Sequence, residues 1–126
     1  MEIVTTKLND EALAPHISEA HLLMDACLLA GEILMANGSE ITRVEDVILR
    51  IGRAAGIEKI QVYALLNAIT VSFPTQGLTQ MRAIPPRIQT MDMEKIVAVN
   101  DLTRKFTAHK IVLTDLYDCL EKIDVT

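Results

Sequence analysis

The chain has 126 residues, half of them hydrophobic but only 3% aromatic, and carries a formal net charge of -5. That length suits one domain with an aliphatic core of Leu, Ile, Val, Ala and Met, held without staples. Its 12 Lys and Arg never run longer than a pair, so the basic footprint and stacking platform of a nucleic-acid partner are missing, and none is expected. Cys27 and Cys119 lie far apart in apolar surroundings with no signal peptide ahead of them, which reads as reduced core thiols of a cytosolic protein. A zinc site would need more ligands at closer spacing. The most apolar stretch, Leu22 to Ala36, is broken by Asp25 and Glu32, short of the roughly 20 mostly uncharged residues of a membrane span. Mean hydropathy is nonetheless +0.27, which points to apolar surface reserved for a partner or for self-association.

Residues 1–14 lack clear periodicity and are expected to form a flexible arm, leaving 15–126 as a single domain. His16 to Asn37 reads as a helix closed by Gly38 in the left-handed conformation. Its polar stripe (Ser18, His21, Asp25, Glu32) is narrow, so this helix is buried on most sides or lies in an interface. Small residues at four-residue spacing, Cys27 with Gly31 and Ala26 with Ala30, let another element approach. Ser39 is expected to cap a second helix, Glu40 to Ala55, with Ile41, Val44, Ile48, Ile51 and Ala55 inward and Gly56 closing it. The short connection makes the two an antiparallel hairpin.

The pattern then changes to period two. Ile60, Val62 and Ala64 alternate with Lys59, Gln61 and Tyr63; after Leu66-Asn67-Ala68, a turn or bulge, Ile69, Val71 and Phe73 alternate with Thr70 and Ser72. Pro74 to Gly77 is a turn and Leu78 to Ile84 a third strand, stopped by Pro85-Pro86. Three strands with short connections form an antiparallel meander. Thr90 or Asp92 begins a third helix with Ile96, Val99, Leu102 and Phe106 inward, and Thr114 caps a last one with Leu116, Leu120 and Ile123 on one face. The order α-α-β-β-β-α-α defines an α+β domain.

Candidate chemistry is sparse. His21 and Asp25 share a helix face as a metal pair would, but no third ligand stands at telling spacing, so no metal is expected. No nucleophile elbow, cysteine signature or phosphate-cradling glycine loop occurs, and neither catalysis nor a cofactor is expected. The densest polar cluster is Gly38 to Asp46. Glu40 with Arg43 and Asp46 with Arg50 have the spacing of local ion pairs, and acids in the first turns suit the helix dipole. The functional alternative is a polar pocket lined by Glu40, Arg43 and Glu45. Asn67 sits between two strands, where asparagine tolerates left-handed dihedrals and serves a turn. Arg82 and Arg87 flank the double proline and either pair with the acidic face of the helix hairpin or contact an anionic ligand.

Taken together, the segments from Leu28 to Gly38 (ending GEILMANG), SEITRVEDVILRIGRAAGI, LNAITVSF and MEKIVAVNDLTRKF resemble the N-terminal domain of the threonine/serine exporter family in its split form, over about residues 18–123. The family often has Gly-Ala-Glu where this chain has Gly38-Ser39-Glu40. The resemblance implies a soluble domain at the cytoplasmic face of a bacterial cell membrane, followed by transmembrane helices of its own chain and completed by a second membrane subunit. It also implies a small amino acid such as threonine or serine, or a related small carboxylate, as the exported solute. The domain's role would be assembly, gating or substrate capture, and the chain is expected to form a homo-oligomer through its apolar first helix. A small zwitterion needs a cation for its carboxylate and an acid for its ammonium, which makes Glu40, Arg43, Glu45, Asn67 and Arg82 the candidate contacts. The rival readings are a hydrolase-like enzyme, with His109 brought to Ser39, Ser72 or a cysteine, and a purely structural oligomerisation domain.

Overall fold

The computed structural model describes residues 17–84 and 91–125. In chain order they form helix α1 (Ile17–Ala36), helix α2 (Ile41–Ala54), strands β1 (Gln61–Leu65), β2 (Ala68–Phe73) and β3 (Leu78–Ala83), helix α3 (Met93–Thr107) and helix α4 (Leu113–Val125), with a short 3-10 turn, Pro74–Gln76, between β2 and β3. The expected α+β order is the one observed. The arm over residues 1–14, His16, the Pro85-Pro86 stop, Arg87 and Thr90 lie outside the described residues.

The apolar breadth of α1 is satisfied inside the fold. Leu23, Met24, Ala26, Cys27, Leu28, Ala30, Ile33 and Leu34 are essentially inaccessible, because α1 packs against α2, α3, α4 and the inner sides of β2 and β3. Glu19 and His21 face water, while Asp25 and Glu32 are half-buried. Gly31 marks the tightest approach: a Cβ there would stand 2.8 Å from Ile69 Cδ1 and 3.0 Å from Ile48 Cδ1. Cys27 lies in the same layer. Its thiol is 3.9 Å from the Ile48 carbonyl, and burial pushes its pKa up to about 12, the reverse of an activated nucleophile.

Gly38 takes φ +91°, as expected, but the turn it makes changes the role of its neighbour. The Ser39 N–H donates to the Leu34 carbonyl at 2.9 Å and the Gly38 N–H to Met35 at 3.2 Å, a Schellman closure. Ser39 therefore still belongs to the end of α1. The N-cap of α2 is Glu40, at φ -67° and ψ 146° and without a side-chain capping bond, and the Ser39 hydroxyl is buried without a partner. Gly56 closes α2 in the same way at φ +100°, with Ile57 N–H donating to Gly52. Asp92 caps α3, its carboxylate accepting from the Glu94 and Lys95 N–H groups at 3.0 and 3.3 Å. Helix α4 starts one residue before its expected cap. The Val112 carbonyl accepts from Leu116 N–H, which places Thr114 inside the first turn.

The sheet is an antiparallel meander in the order β1-β2-β3. Tyr63, Thr70 and Met81 form one cross-strand row, and Leu65, Ala68 and Ala83 the next. Ile69, Val71 and Phe73 point into the core. Leu66-Asn67 is a two-residue turn, but Asn67 does not use the left-handed region expected of it: among the described residues the non-glycine with positive φ is His109. Asn67 instead lends its carbonyl to the Ile84 N–H at 2.8 Å, extending the β2–β3 ladder.

His109, at φ +59°, closes α3 where α1 and α2 use glycine, with Lys110 N–H donating to Lys105 at 2.8 Å. A side chain in that region is strained by about 1 kcal/mol. Replacing His109 by Gly should therefore stabilise the domain by about 1 kcal/mol, read as a higher urea midpoint at unchanged slope. An unchanged midpoint would contradict the strain.

Candidate functional site

Helix α2 presents two faces. Val44, Val47, Ile48 and Ile51 are buried against the core, and the exposed positions between them, Arg43, Asp46 and Arg50, line up along one side. Helix α3 runs alongside, and its own polar positions Asn100, Thr103, Arg104 and Thr107 face the same seam. Between the helices lies a depression of about 150 Å³ lined by these residues and Val47. It continues over α2 into a shallower surface that adds Glu40 and Thr42. Thr103 forms part of its floor, nearly fully buried, and donates its hydroxyl to the Val99 carbonyl at 2.8 Å.

The charges of this groove are mostly spoken for. Asp46 accepts from Arg50 at 2.9 Å, and Asp101 pairs with Arg104 one turn along α3. Arg43 has no ion-pair partner among the described residues: the expected Glu40–Arg43 pair does not form, and what joins those two is the backbone bond from Arg43 N–H to the Glu40 carbonyl. A guanidinium in a first helical turn opposes the dipole, so local stability gives no reason for it there. The groove thus offers one uncommitted cation, a carboxylate shared with Arg50 and the half-buried Asn100 amide, in a volume far below the roughly 300–1,000 Å³ of drug-sized pockets.

The other candidates fall elsewhere. Glu45 turns to the sheet and accepts from the Ala64 N–H at 3.4 Å, so its carboxylate occupies the open edge of β1. Asn67 is exposed at the tip of the β1–β2 hairpin. Arg82, on the inner side of β3, pairs with Glu32 of α1 at 3.3 Å, the two side chains 32% and 18% accessible. Around this pair stand Asp25 and, from α4, Tyr117 and Glu121. Desolvation first, then the negative fields of Glu121 and Asp25, push the Tyr117 phenol above its usual range, while Arg82 pulls against them. Arg82 thus meets an acid of the helix hairpin, one of its two expected fates, and its charge is engaged.

Sequence reading missed the α3 wall of the groove. Asn100 and Arg104 are four apart on one helix face, but nothing in their spacing says that this face meets Arg43. Among the described residues no group of three or more His, Cys, Asp or Glu could hold a metal ion. His109 is exposed, and Ser72 shares a 2.8 Å hydrogen bond with Thr79.

A sequence model described as "Putative threonine/serine exporter" matches residues 25–126. The chain belongs to the threonine/serine exporter family, a family of transporters, and membership carries membrane association with it. No curated protein and no solved structure matches the chain. Among the described residues no helix is long and apolar enough to cross a membrane.

The two arginines should separate in a stability measurement. Arg43→Ala removes an exposed, unpaired side chain and should leave unfolding free energy within about 0.5 kcal/mol of the parent. Arg82→Ala leaves the half-buried Glu32 without this partner and should cost about 1 kcal/mol. Urea unfolding of both variants checks this, and an equal loss in the two would contradict the contrast.

Proposed function

We propose that this domain works at the cytoplasmic face of the membrane as the substrate-capturing module of an exporter of threonine and serine, and that the α2–α3 groove is where it meets the amino acid. Passage through the bilayer then falls to membrane-embedded segments outside the described residues, in this chain or in a second subunit. The observation that carries the reading is the uncommitted Arg43 guanidinium at the rim of a groove sized for a small molecule. A guanidinium binds an α-carboxylate in a fork, a geometry that lysine does not reproduce. Asp46 is the acid within the same groove for the ammonium, and Asn100 supplies an amide for a side-chain hydroxyl.

One free cation beside a carboxylate favours a zwitterion over a dicarboxylate, which would ask for two. Arg104 is held by Asp101, and Arg50 stays on the Asp46 carboxylate, which it would share with the ammonium. Glu40 lies on the shallower extension, one turn before Arg43 on α2. Arg82 serves the fold through Glu32, and Glu45 guards a strand edge, so neither is assigned to the amino acid.

The test is export from cells. With the complete transporter at matched protein levels, Arg43→Ala should slow threonine efflux at least tenfold, the loss expected when a charge-assisted bond to a carboxylate is removed. Arg43→Lys should recover only part of the rate. Unchanged efflux in Arg43→Ala would overturn the assignment of the groove.

A further inference from the structure

Two buried side chains form the floor of the α2–α3 groove, Val47 from α2 and Thr103 from α3. Thr103 is only 4% exposed, and its own hydrogen bond limits what it can offer a solute. A threonine hydroxyl has one proton and two lone pairs. Thr103 donates that proton one turn back, to the Val99 carbonyl at 2.8 Å, as a threonine inside a helix commonly does. What remains for a solute is acceptor capacity alone. Asn100, three positions earlier on α3 and half-buried in the same wall, brings an amide that can donate. The α2 wall differs in kind, because Arg43 and Asp46, again three apart, carry full charges there.

We propose that Thr103 is the residue by which the groove tells a hydroxylated amino acid from an apolar one, its oxygen accepting the proton of the solute's side-chain hydroxyl. The inference rests on the groove being the amino acid's site and deepens that reading. The two walls set the orientation. Carboxylate and ammonium branch from one carbon of an amino acid, and the groups that suit them, Arg43 and Asp46, stand together on α2. The side chain is thereby turned toward α3. There a threonine or serine hydroxyl gives its proton to Thr103 Oγ1 and accepts from the Asn100 amide, while Val47 lies against the apolar part of the solute. L-Valine has the shape of threonine with a methyl group in place of the hydroxyl. It would fill the same space, exclude water, and leave the Thr103 lone pairs and the Asn100 amide without partners. That loss rejects valine, a distinction that shape alone cannot make between near-isosteres.

The test is a titration of the isotope-labelled 126-residue chain with L-threonine and with L-valine, followed by its amide resonances. The parent should bind threonine about tenfold more tightly than valine. Thr103→Val keeps the shape of the buried side chain and removes its oxygen. It should bring the two dissociation constants within about twofold of each other, in part by tightening valine, which loss of a merely structural hydroxyl would not do. Thr103→Ser keeps the oxygen and should keep the preference; loss of the preference in that variant overturns the proposal even where the valine variant does not fold. Equal affinity of the parent for the two amino acids overturns it and leaves the groove as the site. So does a folded Thr103→Val chain that still prefers threonine, or one that weakens toward both alike. A parent whose α2 and α3 amides respond to neither amino acid overturns the reading of the groove, and this proposal with it.

Discussion

Everything in this fold is arranged around the burial of α1. A helix with so little polar surface cannot sit on the outside of a domain in water, and at about 1.5–3 kcal/mol for each fully buried Leu, Ile or Met it is the largest single source of core stability. It therefore dictates its neighbours. Helices α2, α3 and α4 and the inner sides of β2 and β3 all pack on it, and Gly31 is where Ile69 and Ile48 come close enough to exclude a side chain. The acids that α1 cannot avoid are handled locally: Glu32 meets Arg82, and Asp25 lies in the same half-buried cluster with Tyr117 and Glu121. An arginine on the core-facing side of a strand is costly without such a partner. Its place on β3 thus follows from the acid on α1.

Much of this was legible in the sequence because it depends on local rules. The change of period from 3.6 to 2 at Ile60 separates helices from strands, and Gly38 and Gly56 end helices because the left-handed cap favours a residue without Cβ. Ser39 misled because capping preference and cap geometry compete: a serine between a helix end and a helix start suits either, and the Schellman bond to Leu34 claims it for the first. His109 is a weaker signal than a glycine: histidine is among the non-glycine residues found at positive φ, but it adopts that region far less readily. The α2–α3 groove was half legible. Arg43 stands out as a cation where the dipole disfavours one, but its opposite wall comes from residues more than fifty positions away, joined to it by packing alone.

The surface that remains falls into two unlike parts. The outward sides of α2 and α3 carry paired charges with Arg43 left over, whereas the outer sheet face carries no charge. A domain built only for stability has little need of either, since Arg43 opposes its helix dipole and exposed Tyr63, Leu65, Leu66 and Met81 invite association. Departures of this kind from local preference are expected where function is carried. The two parts differ in kind: the groove is lined by charged and polar side chains, and the outward positions of the sheet carry no charge. Both belong to a chain of the threonine/serine exporter family, in which holding a solute and assembling a transporter are compatible tasks.

The groove is tested most directly by titrating the isotope-labelled 126-residue chain with L-threonine and following its backbone amide resonances. The account predicts shifts confined to the seam of α2 and α3, at Arg43, Asp46, Asn100 and Arg104, saturating together, absent in Arg43→Ala and absent when threoninamide, which lacks the carboxylate, replaces threonine. Shifts centred on Arg82, Asp25 and Tyr117, or no shifts at threonine concentrations that saturate export, would contradict it.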